Sequence, residues 1–131
     1  MLEKFSWQSD QGYRVLIDHL QDGIVVVEEG ILSYVNQRMA TMLGYRVNEL
    51  IGRPFIEFIA PADKVLIQER YRARLSGETV PDQYDIHLVT AQGALIFCTL
   101  NIGLYENHAG ETVTISSVRD VTKQKAALAK L

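Results

Sequence analysis

The stretch Val113–Lys125, VTISSVRDVTKQK, decides how the rest of this chain is read. It opens as a run of β-branched and small residues, the composition of a strand buried on both faces, and turns polar at Arg119-Asp120-Val121-Thr122. Beyond it, Lys123 to Leu131 holds Ala126, Ala127, Leu128 and Ala129 among lysines and a glutamine, all helix formers, and Asp120 or Thr122 can supply an N-cap oxygen. A core strand leading straight into a helix is the geometry of an output element, one that hands a change to whatever follows.

Upstream lie two more long apolar runs, Asp82 to Thr90 and Ala94 to Tyr105, followed by a third at Glu111 to Val121 that holds the strand part of the opening stretch. Ala91-Gln92-Gly93 and Asn107-His108-Ala109-Gly110 separate them, turn chemistry of hairpin length. Near the N-terminus, Ile24 to Glu28 and Ile31 to Val35 form another hairpin, with Gly30 supplying a positive φ. Between the two β regions the period changes. Asn36 caps a short helix with inner face Met39, Ala40, Met42 and Leu43, closed by Gly44; Asn48 to Ile51 makes at most one turn. Pro54 to Ile59 is apolar but bracketed by prolines, so an irregular or single-turn connector is expected. A longer helix spans about Ala62 to Ser76, with Ile67, Tyr71 and Leu75 inward and Lys64, Glu69, Arg70, Arg72 and Arg74 outward. Ahead of the first strand, Tyr13, Leu16, Ile17 and Leu20 mark one face of an amphipathic helix beginning near Asp10. The expected class is α+β, a five-stranded antiparallel sheet with helices on one face and an N-terminal amphipathic helix.

The 131 residues, 47% of them hydrophobic, suffice for one domain with its own core. A net charge of -3 and a pI near 5.6 argue against nucleic acid as partner, since such domains are basic. No apolar run approaches the ~20 residues of a bilayer span, so direct membrane contact is not expected. The lone Cys98 makes no internal disulfide or metal pattern, which suits a cytoplasmic protein.

The order of elements, with Tyr34-Val35-Asn36, Leu43-Gly44-Tyr45, Glu49-Leu50-Ile51-Gly52, Pro61-Ala62-Asp63, Ser76-Gly77-Glu78, Gly93 and the closing Arg119-Asp120-Val121-Thr122, resembles the PAS family of sensor domains from about Tyr13 to Lys125. The resemblance implies a sheet in the order 2-1-5-4-3, which makes Val113–Val121 a central strand. It divides the chain into a flanking helix region (1–22), a PAS core (23–121) and the start of an output helix (122–131).

The resemblance also implies a pocket between sheet and helices, and strand alternation sorts the side chains facing it. On one parity Ile86 and Leu88, then Ile96, Cys98, Leu100 and Ile102, then Thr114, Ser116 and Val118 point inward. Met39, Met42, Phe55, Phe58, Ile59, Ile67 and Tyr71 close it from the helical side. The same lining is what a packed core requires, so a ligand pocket and a plain core both remain open.

The family's cofactor-binding branches can be tested position by position. Flavin photosensor members carry a reactive cysteine after a Gly-Arg; here Gly52-Arg53-Pro54-Phe55-Ile56 stands there, with Phe55 at the cysteine position, and Cys98 lies on another element. Haem-binding members ligate iron from a histidine on the long helix, where this chain has Leu66. His19, His87 and His108 read as solvated or satisfied, and Arg70, Arg72 and Arg74 as a solvated helix face. No flavin, haem or metal is expected, and the purified domain should be colourless, although an unknown small ligand remains open.

These readings describe a non-catalytic PAS sensor and dimerisation domain of a larger signalling protein, a histidine kinase or a diguanylate cyclase or phosphodiesterase, with an effector following the chain. The alternatives are a ligand-free interaction and dimerisation module, and more remotely a small binding enzyme, which the absence of a paired acid, base or nucleophile at the pocket positions disfavours. A homodimer is expected through Tyr13, Leu16, Ile17 and Leu20 with Phe97, Val89 and Ile115 on the outer sheet face. Asp120 and Thr122, matching the family's closing Asp and Thr, are the expected signal relay.

Overall fold

The computed structural model describes residues 21–130. Five antiparallel strands form one sheet in the order β2-β1-β5-β4-β3: β1 Gly23–Glu28, β2 Ile31–Val35, β3 Gln83–Val89, β4 Leu95–Glu106 and β5 Thr112–Asp120. β5, the opening stretch, is the central strand. The helices are α1 Gln37–Leu43, α2 Val47–Leu50, α3 Lys64–Leu75 and, leaving β5, α4 Thr122–Ala129. The expected helix carrying Tyr13, Leu16, Ile17 and Leu20 lies outside the described residues.

Glu29 and Gly30 both adopt positive φ (52° and 78°), which turns β1 into β2 in two residues. The register of that hairpin shifts between Val26 and Val27, so Leu32 and Val35 both reach the helical side despite their odd spacing. Asn36 then ends β2 and starts α1 with one buried amide. Its Oδ1 accepts the N–H groups of Met39 (2.9 Å) and Ile24 (3.0 Å), and its Nδ2 donates to the Asp22 carbonyl (3.1 Å). One side chain thereby caps a helix and ties it to the edge of β1.

The proline-bracketed connector explains itself once both sheet edges are considered. Residues 52–55 pair with β2: Gly52 donates to Leu32 O (2.8 Å), Leu32 to Arg53 O (2.9 Å) and Phe55 to Gly30 O (3.0 Å). After a 3-10 turn at Phe55–Phe58, Ile59 bridges Leu88 and Ala60 donates to His87 O (2.9 Å) on β3. One irregular segment thus covers the two exposed edges of the sheet, which no regular strand or helix of that length could do.

The sheet has a core on each face. Against the helices pack Val25, Val27, Val35, Leu43, Leu50, Phe58, Ile67, Ile86, Leu88, Cys98, Leu100 and Val118; on the outer face Ile24, Val26, Tyr34 and Val113 cluster with Tyr105 and Ile115 beside them. On α3 the expected inward row is corrected. Ile67 and Tyr71 face the sheet, but the next residue on that row is Arg74, 5% exposed, while Leu75 is 40% exposed. The cause is helix phase: seven residues at 3.6 per turn return almost to the starting face, and eight overshoot it.

Candidate functional site

Between the sheet and the helices lies a cavity of about 90 Å³. Of the expected pocket residues, Phe55, Phe58, Ile67, Tyr71, Ile86, Leu88, Leu100, Ser116 and Val118 line it. Met39, Met42 and Cys98 do not. Met39 is taken up against the start of β1, where a Cβ on Gly23 would lie 2.6 Å from its sulfur. Met42 is half-buried against the core, about 100° round α1 from Leu43, which does line the cavity. Cys98 is wholly buried between Ile86 and Asp120, its cross-strand neighbours.

Thr114, Ile59 and Ile102, also expected to face inward, line it too, and the lining includes residues absent from that expectation, chiefly Arg74 and Tyr84. Tyr84 shares the parity of Ile86 and Leu88 and was legible from it. Arg74 was hidden by its charge and by its place in an apparently solvated arginine row. The row separates in three dimensions: Arg72 pairs with Glu69 (2.6 Å) and Glu78 (3.2 Å) in solvent, Arg70 stacks over the Tyr84 ring (4.6 Å), and Arg74 turns inward. Arg74 Nη2 donates to Pro81 O (2.8 Å) and Nη1 to Asp82 Oδ1 (3.3 Å). Burial pushes the Tyr84 phenol up, opposed by the neighbouring Arg74 charge and hydrogen bond. Tyr71 closes the lining towards the β1–β2 turn, its hydroxyl accepting the Gly30 N–H at 2.9 Å and its ring 4.9 Å from Phe55. Burial raises the Tyr71 pKa as well.

The chain thus combines a 2-1-5-4-3 antiparallel sheet, helices on one face around a cavity, and a central last strand that runs into a helix. A family model for the PAS fold matches residues 11–121. The chain belongs to the PAS family. Solved relatives share the fold. A PAS domain of an HTR-like protein from Haloarcula marismortui is 25% identical, with a TM-score of 0.67 over 82% of this chain and 87% of its own. A PAS domain from a two-component sensor histidine kinase is 15% identical, with a TM-score of 0.68 over 84% and 94%. A third, from a LuxR-family transcriptional regulator of Burkholderia thailandensis, was solved in complex with ethanol; it is 20% identical, with a TM-score of 0.65 over 83% and 96%.

At the exit of this PAS domain, Asp120 Oδ1 accepts both the backbone N–H (2.9 Å) and the hydroxyl (2.6 Å) of Thr122. The Thr122 hydroxyl oxygen in turn accepts the Phe97 N–H (2.9 Å), and Val121 N–H donates to Phe97 O (2.8 Å). Among the described residues the nearby cations pair elsewhere, Arg119 with Asp22 (3.2 Å) and Lys125 with Asp85 (3.3 Å). Burial, with the Asp120 charge beside it, pushes the Cys98 thiol up to about 12, so it stays protonated and unreactive. Phe97 and Ile115 both sit on the outer face but towards opposite ends of it, Phe97 packed at a tilt against the His87 ring (4.3 Å between centroids) and Ile115 opposite Gly103 and Val26. No His, Cys, Asp and Glu group suited to a metal occurs among the described residues, and no described helix is long and apolar enough to cross a membrane.

Proposed function

We propose that this PAS domain is the sensory and dimerisation module of a larger signalling protein, such as a histidine kinase or a diguanylate cyclase or phosphodiesterase, and has no catalysis of its own. A small molecule in the cavity is the input, and β5 carries its effect into α4. The single observation that supports this most is continuity: Thr114, Ser116 and Val118 line the cavity on the same strand that ends at Asp120. Ethanol in the Burkholderia thailandensis relative is consistent with a ligand of a few heavy atoms rather than a large cofactor. Phe55 at the flavin-cysteine position and Leu66 at the haem-histidine position favour the same reading.

The test is native mass spectrometry of freshly purified protein, beside the denatured mass. The expected result is a small mass excess lost on denaturation. An unliganded native mass, together with no change in melting temperature across a panel of small metabolites, would instead favour a ligand-free dimerisation module.

A further inference from the structure

We propose that the cavity is built for a small monocarboxylate with a short apolar tail, the carboxylate at Arg74 and the tail towards Leu43 and Leu88. This rests on the reading of the cavity as a ligand site and adds the chemical class.

The strand register gives the cavity two unlike ends. Asp82 O accepts the Ile102 N–H (2.8 Å), Ile102 lies opposite Ser116, and Ser116 lies opposite Val25. The start of β3, the C-terminal half of β4, the N-terminal half of β5 and the C-terminal end of α3 therefore meet, and they bring Arg74, Tyr84, Thr114 and Ser116 to one end. At the other end Leu43, Phe58 and Leu88 leave only apolar surface, with Val118 between the two ends, level with Leu100 and Tyr84.

Arg74 is the decisive residue. Its side chain is 6% exposed, yet its ion-pair partner Asp82 is 86% exposed and 3.3 Å away. A guanidinium presents five N–H donors in a rigid fork. One carbonyl, one solvated carboxylate and a neighbouring phenol do not saturate it. A buried guanidinium with spare donors beside an apolar space matches a carboxylate, which accepts two parallel N–H bonds and neutralises the charge. Size sets the other limit: at ~10–15 Å³ for one water-sized group, about 90 Å³ holds roughly six to nine such groups.

The experiment titrates the chain with butyrate and with two neutral isosteres, 1-butanol and butyramide, following backbone amide shifts by NMR. Butyrate should bind at least ~10-fold more tightly than either, the discrimination expected of a hydrogen-bonded charge. Arg74→Met should erase that preference while butanol binding persists. Asp82→Asn, at an exposed position that folding tolerates, removes the competing carboxylate and should strengthen butyrate binding. Ser116→Phe should block all three. Butyrate bound no more tightly than butanol, or a preference untouched by both Arg74→Met and Asp82→Asn, overturns the carboxylate class while leaving a ligand site in place. Failure of all three probes to bind the wild-type chain overturns both.

Discussion

The two ends of the sheet treat polar groups in opposite ways. At the end where β3 starts, Arg74, Tyr84, Thr114 and Ser116 border open space, and the one ion-pair partner of Arg74 among the described residues, Asp82, is solvated. At the end where β5 stops, the space is filled. Gly23 is pressed against Met39, Cys98 is wholly buried, and the amide of Asn36 is used on both its oxygen and its nitrogen. The Asn36 amide at the filled end is used up in holding elements together; at the hollow end the Arg74 guanidinium has more donors than its bonds to Pro81 O and Asp82 use. Thr114 to Asp120 spans six residues of extended chain, roughly 20 Å at ~3.3 Å each, so one strand joins the two regimes.

The largest expected effect separates these regimes by stability. Asn36→Ala removes an N-cap, worth ~1 kcal/mol, and leaves the buried Ile24 N–H without its acceptor, ~1–3 kcal/mol more. The sum, about 2–4 kcal/mol, should lower the melting temperature by roughly 10 °C. Arg74→Met should instead stay within ~1 kcal/mol of wild type, because its partner Asp82 is already in water and is left with no buried charge to satisfy. Equal losses in urea unfolding would mean that Arg74 is a structural residue and that the contrast between the ends is mistaken.

How far this contrast could be read from sequence follows the same division. The strands and their parity were legible, because alternation and turn residues act locally: Ile86, Leu88, Leu100, Ser116 and Val118 fall where their period places them. Asn36 as a cap and Gly44 as a helix stop were legible for the same reason. What escaped was set by tertiary contact. Met39 packs away from the cavity against a glycine on a different element, and the inward turn of Arg74 depends on helix phase and on acceptors seven and eight residues away. A charged side chain gives no hydrophobic signal, so a pattern of apolar residues cannot reveal it.

A smaller effect tests the clamp that holds the connector to the filled end. Asp63 Oδ2 accepts the His87 N–H (2.8 Å) and contacts its ring Nδ1 (2.9 Å). Burial alone would raise the Asp63 carboxyl, but the side-chain and backbone hydrogen bonds of His87 together outweigh it and hold the pKa below the usual carboxylate range. A carboxyl with a depressed folded pKa stabilises the fold above its unfolded pKa, near ~3.9, and that stability is lost as pH falls through the still lower folded value. Asp63→Asn should therefore cost about 1 kcal/mol at pH 7, and the gap from wild type should close below roughly pH 4. A gap independent of pH in paired urea titrations would show that shape, not charge, holds the connector.

The smallest stability effect carries the largest consequence for signalling, at the end of β5. Among the described residues Asp120 bonds Thr122 alone, by backbone and hydroxyl, and it is the Thr122 hydroxyl that contacts Phe97 on β4. Removing Asp120 should cost no more than ~1 kcal/mol, the value of a cap. If the pair merely starts the helix, Asp120→Ala and Thr122→Val lower stability slightly and a full-length protein still responds to its input. If it couples the sheet to α4, each substitution should hold effector output at one level while the domain stays folded. The double variant should then do no more than either alone, since both cut one chain of hydrogen bonds. Thr122→Ser, which keeps the hydroxyl, should respond normally. Coupling is the expected outcome, because the hydroxyl ties the first residue of α4 to the strand beside β5, and a shift at Ser116 or Val118 must pass that point to reach the helix.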